Sequence, residues 1–220
     1  MRNIIYDYVI PLGDRCNCTQ NLKHYNLRPI GRKLPFDWLK NGDIWSRVNI
    51  ILEDFADFLN PTNLRQVQYE RPEHWQFYRF YDVRSRLIFA HDFPKDLNFV
   101  DGLRVATTTF APKIQRFQSI FAQRKKVLFV YMTDSRIPNG DIRRAVRLLR
   151  QKFGYDDVDI LVVENGVRTI WNLRRIWLGR GITKFKTRKF LMPVHYTDTT
   201  PEQYAVLDKI FSHIRVSDAE

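Results

Sequence analysis

After Val100 the chain alternates between two kinds of apolar segment. One kind is a nearly continuous apolar run of strand length, and the other carries apolar residues at helical spacing. Strands that alternate with helices pair in parallel and receive helices on both faces of the sheet. We therefore predict a three-layer α/β fold, a mostly parallel sheet flanked by helices, in a single domain that spans residues 1–220. The predicted strands are 6–12, 126–132, 158–163 and 190–192, and the predicted helices are 19–27, 43–59, 113–123, 142–153 and 201–214.

Residues 60–90 interrupt this regularity. They are rich in Phe, Tyr and Trp, and arginines lie between the aromatic residues. Because aromatic residues favour strands, this stretch predicts short extended segments and an aromatic-rich insertion in the domain. It leads into the apolar run from Leu87 to Phe89, and we expect that strand to end at His91.

The chain carries 36 Lys and Arg residues against 24 Asp and Glu residues, a formal net charge of +12. This excess makes an acidic substrate, a nucleic acid or an anionic surface plausible as a partner. Arg143, Arg144, Arg147 and Arg150 recur at helical spacing, opposite the apolar residues of their helix. We expect these arginines to form an exposed cationic face that makes no internal pairs and suits an anionic polymer.

The only two cysteines are Cys16 and Cys18. With one residue between them they leave almost no workable geometry for a structural disulfide, and free thiols favour a reducing compartment. The amino-terminal residues lack the hydrophobic region and cleavage site of a signal peptide, and no run of about 18 apolar residues occurs. These features predict a cytoplasmic protein without a transmembrane segment.

Cys16 lies at a point where reactive groups are readily arranged. The apolar strand before it ends at Gly13-Asp14, which favours a tight turn, and a helical pattern follows from Thr19 to Leu27. Cys16 is therefore expected at or near a helix N-terminus, where backbone N–H groups and the helix dipole favour a thiolate. The position is equally compatible with a small, buried and inert cysteine.

Polar residues follow several of the apolar strands, namely Cys16, His91, Asp134 and His195. Because ligands of open α/β sheets bind at the carboxyl ends of the strands, all four are candidates for one site. A thiol beside an imidazole that a third polar group orients is the arrangement of nucleophilic catalysis through a thioester. No cofactor is predicted, and no metal site either, because Cys16, Cys18 and His24 lack a fourth ligand.

Three short motifs resemble a known family: Leu12-Gly13-Asp14-Arg15-Cys16, Pro35-Phe36-Asp37-Trp38 and Phe89-Ala90-His91-Asp92-Phe93. In this order they are similar to a bacterial family of unknown function described as putative papain-like cysteine peptidases. The resemblance implies Cys16 as the nucleophile and His91 as its partner. On a strand, Asp92 would point away from His91, so we expect Asp37 to be the third member. The leading hypothesis is thus a cysteine-dependent hydrolase or acyl transferase.

Two alternatives remain open. Gly13-Asp14-Arg15-Cys16 and His195 resemble the first and last blocks of SGNH/GDSL hydrolases, which implies an esterase that uses Cys16 and His195. The other alternative is a non-enzymatic protein that binds an anionic ligand, such as a nucleotide-sugar or a nucleic acid. In that case arginines at the strand ends would hold the ligand, and Cys16 would only pack.

Overall fold

A computed structural model describes residues 4–28, 33–68, 76–165, 173–187 and 200–217. In chain order its strands are β1 (Ile4–Tyr6), β2 (Tyr8–Pro11), β3 (Lys40–Asn41), β4 (Leu64–Val67), β5 (Phe77–Asp82), β6 (Leu87–Pro94), β7 (Val127–Thr133), β8 (Val158–Glu164), β9 (Leu173–Gly179), β10 (Ile182–Thr187) and β11 (Ile214–Val216). Its α-helices are α1 (Asn17–His24), α2 (Ile44–Leu52), α3 (Phe99–Ala122), α4 (Asn139–Phe153) and α5 (Pro201–Phe211).

A five-stranded sheet forms in the order β2-β7-β8-β10-β9. The first three pairings in this order are parallel, whereas β9 runs antiparallel to β10 at the edge. Nearly every residue of β7 and β8 is buried, as is usual for strands covered on both faces, and this burial explains their continuous apolar runs. The predicted α/β class is confirmed. The three-layer arrangement, the single domain and the aromatic insertion stay predictions.

Alternate side chains of this parallel sheet enter two hydrophobic clusters. Phe129 and Ile160 belong to the larger cluster, with residues of α2, α3 and α4. Leu128 and Leu161 belong to the smaller one, with residues of α1 and α5. Successive side chains of a strand point to opposite faces, which produces this division. Helix α1, which follows Cys16, is therefore held against the parallel sheet by the smaller cluster.

A separate antiparallel sheet has the strand order β3-β6-β5-β4. Its aromatic side chains pack against α3, where the rings of Phe89 and Phe110 lie 5.8 Å apart. His91 lies inside β6, so the expectation that its strand ends there, at the carboxyl edge of the parallel sheet, is wrong. The strand continues because Phe93 is also buried in the core and Pro94 still lies opposite Phe77 of β5.

Helix α2 is shorter than predicted, because it ends at Leu52 instead of residue 59. Asp54, Phe55 and Leu59 have φ angles of 53°, 62° and 61°, which a continuing helix does not allow. Phe55 and Leu59 nevertheless enter the core, and their burial explains why the apolar periodicity continued past the helix. The strand predicted at 190–192 lies outside the described residues.

The cationic face predicted on α4 makes internal contacts. Arg150 pairs with Asp159 at 3.2 Å and donates from Nε to the carbonyl of Val158 at 3.0 Å. Arg143 donates from Nε to the carbonyl of Leu178 at 3.0 Å. The prediction of no internal pairs is wrong for these two arginines, because β8, which directly follows α4, and the more distant β9 both place acceptors beside the helix. Binding of an anionic polymer to this face stays a prediction. Within the described ranges no helix has the length and apolar character needed to cross a membrane.

Candidate active site

Cys16 lies at the N-terminus of α1, as predicted from the turn at Gly13-Asp14. It is the N-cap residue, and its carbonyl accepts a hydrogen bond from the N–H of Gln20 at 3.1 Å. The turn before it is fixed to the parallel sheet, since the N–H of Asp14 donates to the carbonyl of Met132 at 3.1 Å. Cys16 is 9% exposed, so its sulfur lies at the margin of the core.

Cys18 packs into the parallel sheet instead. It is 1% exposed, and its Sγ lies 3.4 Å from the carbonyl oxygen of Val130 on β7. Burial raises the pKa of this thiol to about 12, which keeps it protonated at neutral pH. Gly13 permits this packing, because a side chain there would collide with the Cβ of Cys18. Cys18 is therefore a packing residue.

The antiparallel sheet brings basic side chains toward Cys16. Burial lowers the pKa of Lys40 on β3, the charge of Cys16 opposes this shift, and the charge of Arg79 adds to it. Strand β3 reaches this position because the N–H of Asn41 donates to the carbonyl of Asp14 at 2.9 Å. Lys40 interacts electrostatically with Cys16, Arg79 and His91, and we call these four residues the Cys16 cluster. A direct contact between Cys16 and His91 stays a prediction.

His91 contributes a half-buried imidazole to the Cys16 cluster. Its ring makes edge-to-face contacts with Trp38 and Phe77, at centroid distances of 6.1 and 6.3 Å. Burial lowers the pKa of His91, and the charges of Lys40 and Arg79 lower it further. The imidazole is therefore neutral at neutral pH and can accept a proton. Strand β6 thus presents His91 from within the antiparallel sheet.

Asp37 is buried and makes several contacts within the described part of the chain. Its carboxylate forms an ion pair with Arg28 and accepts a backbone N–H at 2.8 Å. The hydroxyl of Thr19 on α1 donates to the carbonyl of Asp37 at 2.9 Å. These contacts hold the segment that contains Trp38 against α1. A direct hydrogen bond between Asp37 and His91 stays a prediction.

A row of polar contacts crosses the carboxyl edge of the parallel sheet. Arg15 pairs with Asp134 at 2.9 Å. Asn165 donates from Nδ2 to Asp134 at 2.7 Å, and Thr187 donates to the Asn165 Oδ1 at 3.1 Å. Asp134 directly follows β7, as predicted, and Asn165 directly follows β8. Because each contact joins the ends of neighbouring strands, this row fixes the position of Arg15. We call Arg15, Asp134, Asn165 and Thr187 the strand-end row.

A buried ion pair between Glu164 and Lys184 holds the loop after β7. Glu164 accepts from the N–H of Ile137 at 2.6 Å, and Lys184 donates to the carbonyl of Ile137 at 2.6 Å. Burial lowers the pKa of Lys184, and the hydrogen bond and charge of Glu164 oppose that shift. The N–H and the carbonyl of Ile137 are therefore both held by buried side chains of the parallel sheet. We call Glu164 and Lys184 the loop clamp.

A cavity of about 570 Å³ opens beside the strand-end row. A volume of this size holds a small molecule or a few residues of an extended chain. Asp14 and Arg15, which precede Cys16, line it together with Ile137 of the clamped loop. Burial raises the pKa of Asp14, which favours its neutral form. We call this space the strand-end cavity.

Lys40, Arg79 and the loop clamp were not predicted as site residues. Lys184 lies between Ile182 and Phe185 in a short β-branched and aromatic stretch, and this is a usable signal, since a buried lysine needs an acidic partner. The other two lack such a signal, because their positions depend on pairing between distant strands. His195 lies outside the described residues, so the alternative site with Cys16 stays a prediction. Among the described residues, no three His, Cys, Asp or Glu side chains gather in a way that could hold a metal ion.

The comparisons with known proteins add one finding. A family model described as "Putative papain-like cysteine peptidase (DUF1796)" matches residues 7–152, which include Cys16, Asp37 and His91. Neither the curated proteins nor the solved structures give a match. The family model covers well over half of the 220 residues. The chain therefore belongs to this family of putative papain-like cysteine peptidases.

Proposed function

We propose that this protein is a cysteine-dependent hydrolase or acyl transferase, in which Cys16 is the nucleophile and His91 is the general base. The observation that carries the proposal is the hydrogen bond from the N–H of Asn41 to the carbonyl of Asp14 at 2.9 Å. It joins the turn before Cys16 to β3, which carries Lys40 and pairs with β6, the strand of His91. A nearby ammonium group stabilises a thiolate, and a neutral imidazole accepts the proton that the thiol loses. Family membership supports the same chemistry and makes a peptide bond the first substrate to test.

The reaction begins when the imidazole of His91 takes the proton of the Cys16 thiol and the sulfur attacks a carbonyl carbon. The new C–S bond pushes the carbonyl π electrons onto oxygen, and backbone N–H groups at the start of α1 stabilise this oxyanion. Collapse of the oxyanion breaks the bond to the leaving group, which takes the proton from His91. Water or another nucleophile then attacks the thioester, again with His91 as base, and restores the thiol.

Asp37 is a positioning residue in this proposal. Its contacts with Arg28 and Thr19 hold its segment against α1, and the neighbouring Trp38 packs its ring against His91. Lys23 of α1 places its Nζ 5.4 Å from the centre of the Trp38 ring. Trp38 therefore contacts both Lys23 of α1 and the imidazole of His91, and it links the helix that follows Cys16 to the proposed base.

Covalent labelling of the two thiols tests the nucleophile. We expect Cys16→Ser to abolish rapid labelling by iodoacetamide at neutral pH, because the remaining thiol is buried and protonated. Cys18→Ser should leave the rate nearly unchanged. Mass spectrometry of the alkylated peptides measures both rates. Rapid labelling that survives Cys16→Ser and disappears in Cys18→Ser would contradict the assignment.

The pH dependence of labelling tests the base. His91→Ala should slow labelling of Cys16 at neutral pH by about 100-fold, a typical contribution of general-base catalysis. The difference from the unmodified protein should shrink at high pH, where the thiol ionises without help. It should persist as the pH falls somewhat below 6.5, because the lowered pKa keeps His91 neutral there. His24→Ala, at an exposed histidine of α1, is the matched control, and equal slowing in both variants would remove His91 from the mechanism.

A further inference from the structure

We propose that the strand-end cavity binds an anionic oxygen group of the substrate, a carboxylate or a phosphate, and that Arg15 and Arg136 select it. This proposal rests on the proposed function, because it places the cavity next to the nucleophile and assigns it to the same substrate. The lining arginines are Arg15, Arg86 and Arg136. A guanidinium presents a planar set of N–H donors that matches a carboxylate or a phosphate.

The strand-end cavity adjoins the Cys16 cluster along the chain at three separate places. Arg15 lines the cavity, and the next residue is Cys16. Asn41 lines it, and its neighbour on β3 is Lys40. Tyr81 lines it, and Arg79 lies two residues earlier on β5. At the first of these places the cavity lies one residue along the chain from the proposed nucleophile, because Arg15 lines it.

Each carboxylate that lines the same cavity has a stabilising interaction within the protein. Asp43 caps α2 by accepting from the N–H of Ser46 at 2.8 Å. Asp141 lies in the first turn of α4, where the helix dipole stabilises a negative charge. Burial raises the pKa of Asp14, and its Oδ2 accepts from Thr133 at 2.7 Å. Arg15 pairs with Asp134 at 2.9 Å and Arg86 lies 4.0 Å from Asp43, so Arg136 is the lining arginine without an ion pair in the described part of the chain.

Two groups of the lining have no partner within the described part of the chain, and a ligand could supply one to each. Arg136 is exposed and makes no ion pair within the described part of the chain. The Oδ1 of Asp14 is buried and accepts no hydrogen bond in the same part of the chain. A buried acceptor without a donor is costly, so a ligand N–H or O–H beside the anionic group would be favoured there. The site thus suits an anionic group that is close to an amide or a hydroxyl.

The lining is also held in place before any ligand binds. The strand-end row fixes the guanidinium of Arg15 through Asp134, and the loop clamp fixes the loop that carries Arg136. Polar groups that are already oriented lose little freedom on binding, which is a property of specific sites. The loop clamp is buried inside the parallel sheet, whereas Arg15 and Asp134 of the strand-end row are partly exposed, and Arg15 and Arg136 line the cavity.

Direct anion binding can be measured without any reaction of Cys16. The Cys16→Ser variant would be titrated with sodium phosphate or with sodium succinate at constant ionic strength, while NMR follows the arginine Nε–H signals. We expect a saturable shift of the Arg15 signal, and Arg136→Gln should weaken the affinity by about fivefold. Arg147→Gln, which removes one exposed charge of α4 outside the cavity, should leave the affinity unchanged. The tighter of the two anions identifies the preferred group.

Alkylation rates link the cavity to the nucleophile. Iodoacetate carries a carboxylate, and iodoacetamide is its neutral counterpart, so the ratio of their rates at Cys16 reports attraction of an anion. We expect this ratio to fall about fivefold in Arg15→Gln and less in Arg136→Gln, with no change in Arg147→Gln. Added salt should lower the ratio in the unmodified protein. Thermal unfolding of Arg15→Gln shows whether that variant is folded, and Arg136→Gln carries the test if it is not.

The two measurements separate failure of the site from failure of the reaction. Absence of saturable binding, or equal weakening by Arg136→Gln and Arg147→Gln, would overturn the anion site whatever the reactivity of Cys16. Saturable binding at Arg15 together with slow alkylation of Cys16 by both reagents would retain the anion site and overturn the proposed nucleophile. Fast alkylation with the same rate ratio in all variants would show that the cavity does not serve Cys16.

Discussion

The two larger sheets of this protein handle polar groups in opposite ways. At the carboxyl edge of the parallel sheet, Glu164, Lys184 and Asn165 are almost fully buried, and each is tied to partners on neighbouring strands or the next loop. The antiparallel sheet presents half-buried Lys40 and His91, whose pKa values are lowered by burial and by nearby positive charge. The first arrangement fixes geometry, whereas the second suits the proton transfer that we propose for His91. The proposed active site lies where the two sheets meet, at Cys16.

The sharpest test of this contrast removes the cation of the loop clamp. Lys184→Met leaves the buried Glu164 without its close partner, so we expect the free energy of unfolding to fall by about 3–5 kcal/mol. Lys186→Met is the control, because the Lys186 Nζ lies 3.8 Å from the same carboxylate and is partly exposed. It should cost less than about 1 kcal/mol. Urea denaturation measures the free energy of unfolding of both variants. Equal losses would contradict the role of the loop clamp in holding the loop after β7.

A smaller loss of stability is expected at Asp37. Asp37→Asn keeps the shape of the side chain but leaves the buried Arg28 without its counter-charge, so unfolding should become easier by about 3 kcal/mol. The labelling rate of Cys16 in the folded protein should fall by less than about tenfold, because Asp37 acts through Trp38. Urea denaturation and iodoacetamide labelling measure the two effects separately. A loss of labelling as large as in His91→Ala, with unchanged stability, would instead make Asp37 a direct partner of the imidazole.

The smallest expected effect concerns Lys40. Lys40→Gln should slow labelling of Cys16 at neutral pH by about fivefold, because a partly exposed charge pair contributes at most about 1 kcal/mol. The acidic limb of the pH profile should move to higher pH, because the charge of Lys40 lowers the pKa of His91 and its removal raises that pKa. Stability should change little. An acidic limb that stays in place would show that Lys40 does not influence the base.

Much of the scaffold was predictable from local patterns. The continuous apolar runs of β7 and β8 and the helical periodicity of α4 identified the central elements, and the Gly13-Asp14 turn placed Cys16 at the start of α1. Each of these predictions depends only on residues that are neighbours in the sequence. Helix α2 was overextended, because Phe55 and Leu59 are buried in turns that preserve a helical spacing of apolar residues.

The surroundings of the candidate site were not predictable in the same way. Lys40 is brought toward Cys16 because Asn41, the next residue of β3, binds the backbone of Asp14, and β3 in turn pairs with β6, which carries His91. The acceptor of Arg143, likewise, is the carbonyl of Leu178, which lies on β9, 35 residues further along the chain. No local pattern encodes such contacts, and a shift of register by one residue would turn each side chain to the other face.

By itself, the sequence determined the α/β class, the position of the nucleophile candidate and the family motifs that include His91. Those properties follow from apolar periodicity, turn residues and short motifs, which act over a few residues. The tertiary structure alone decided that His91 lies in a second, antiparallel sheet, that Cys18 is buried, and that a buried ion pair holds the loop beside the cavity. The reason is physical: burial, pKa shifts and ion pairs depend on which distant segments meet, and the packing of the whole core decides that.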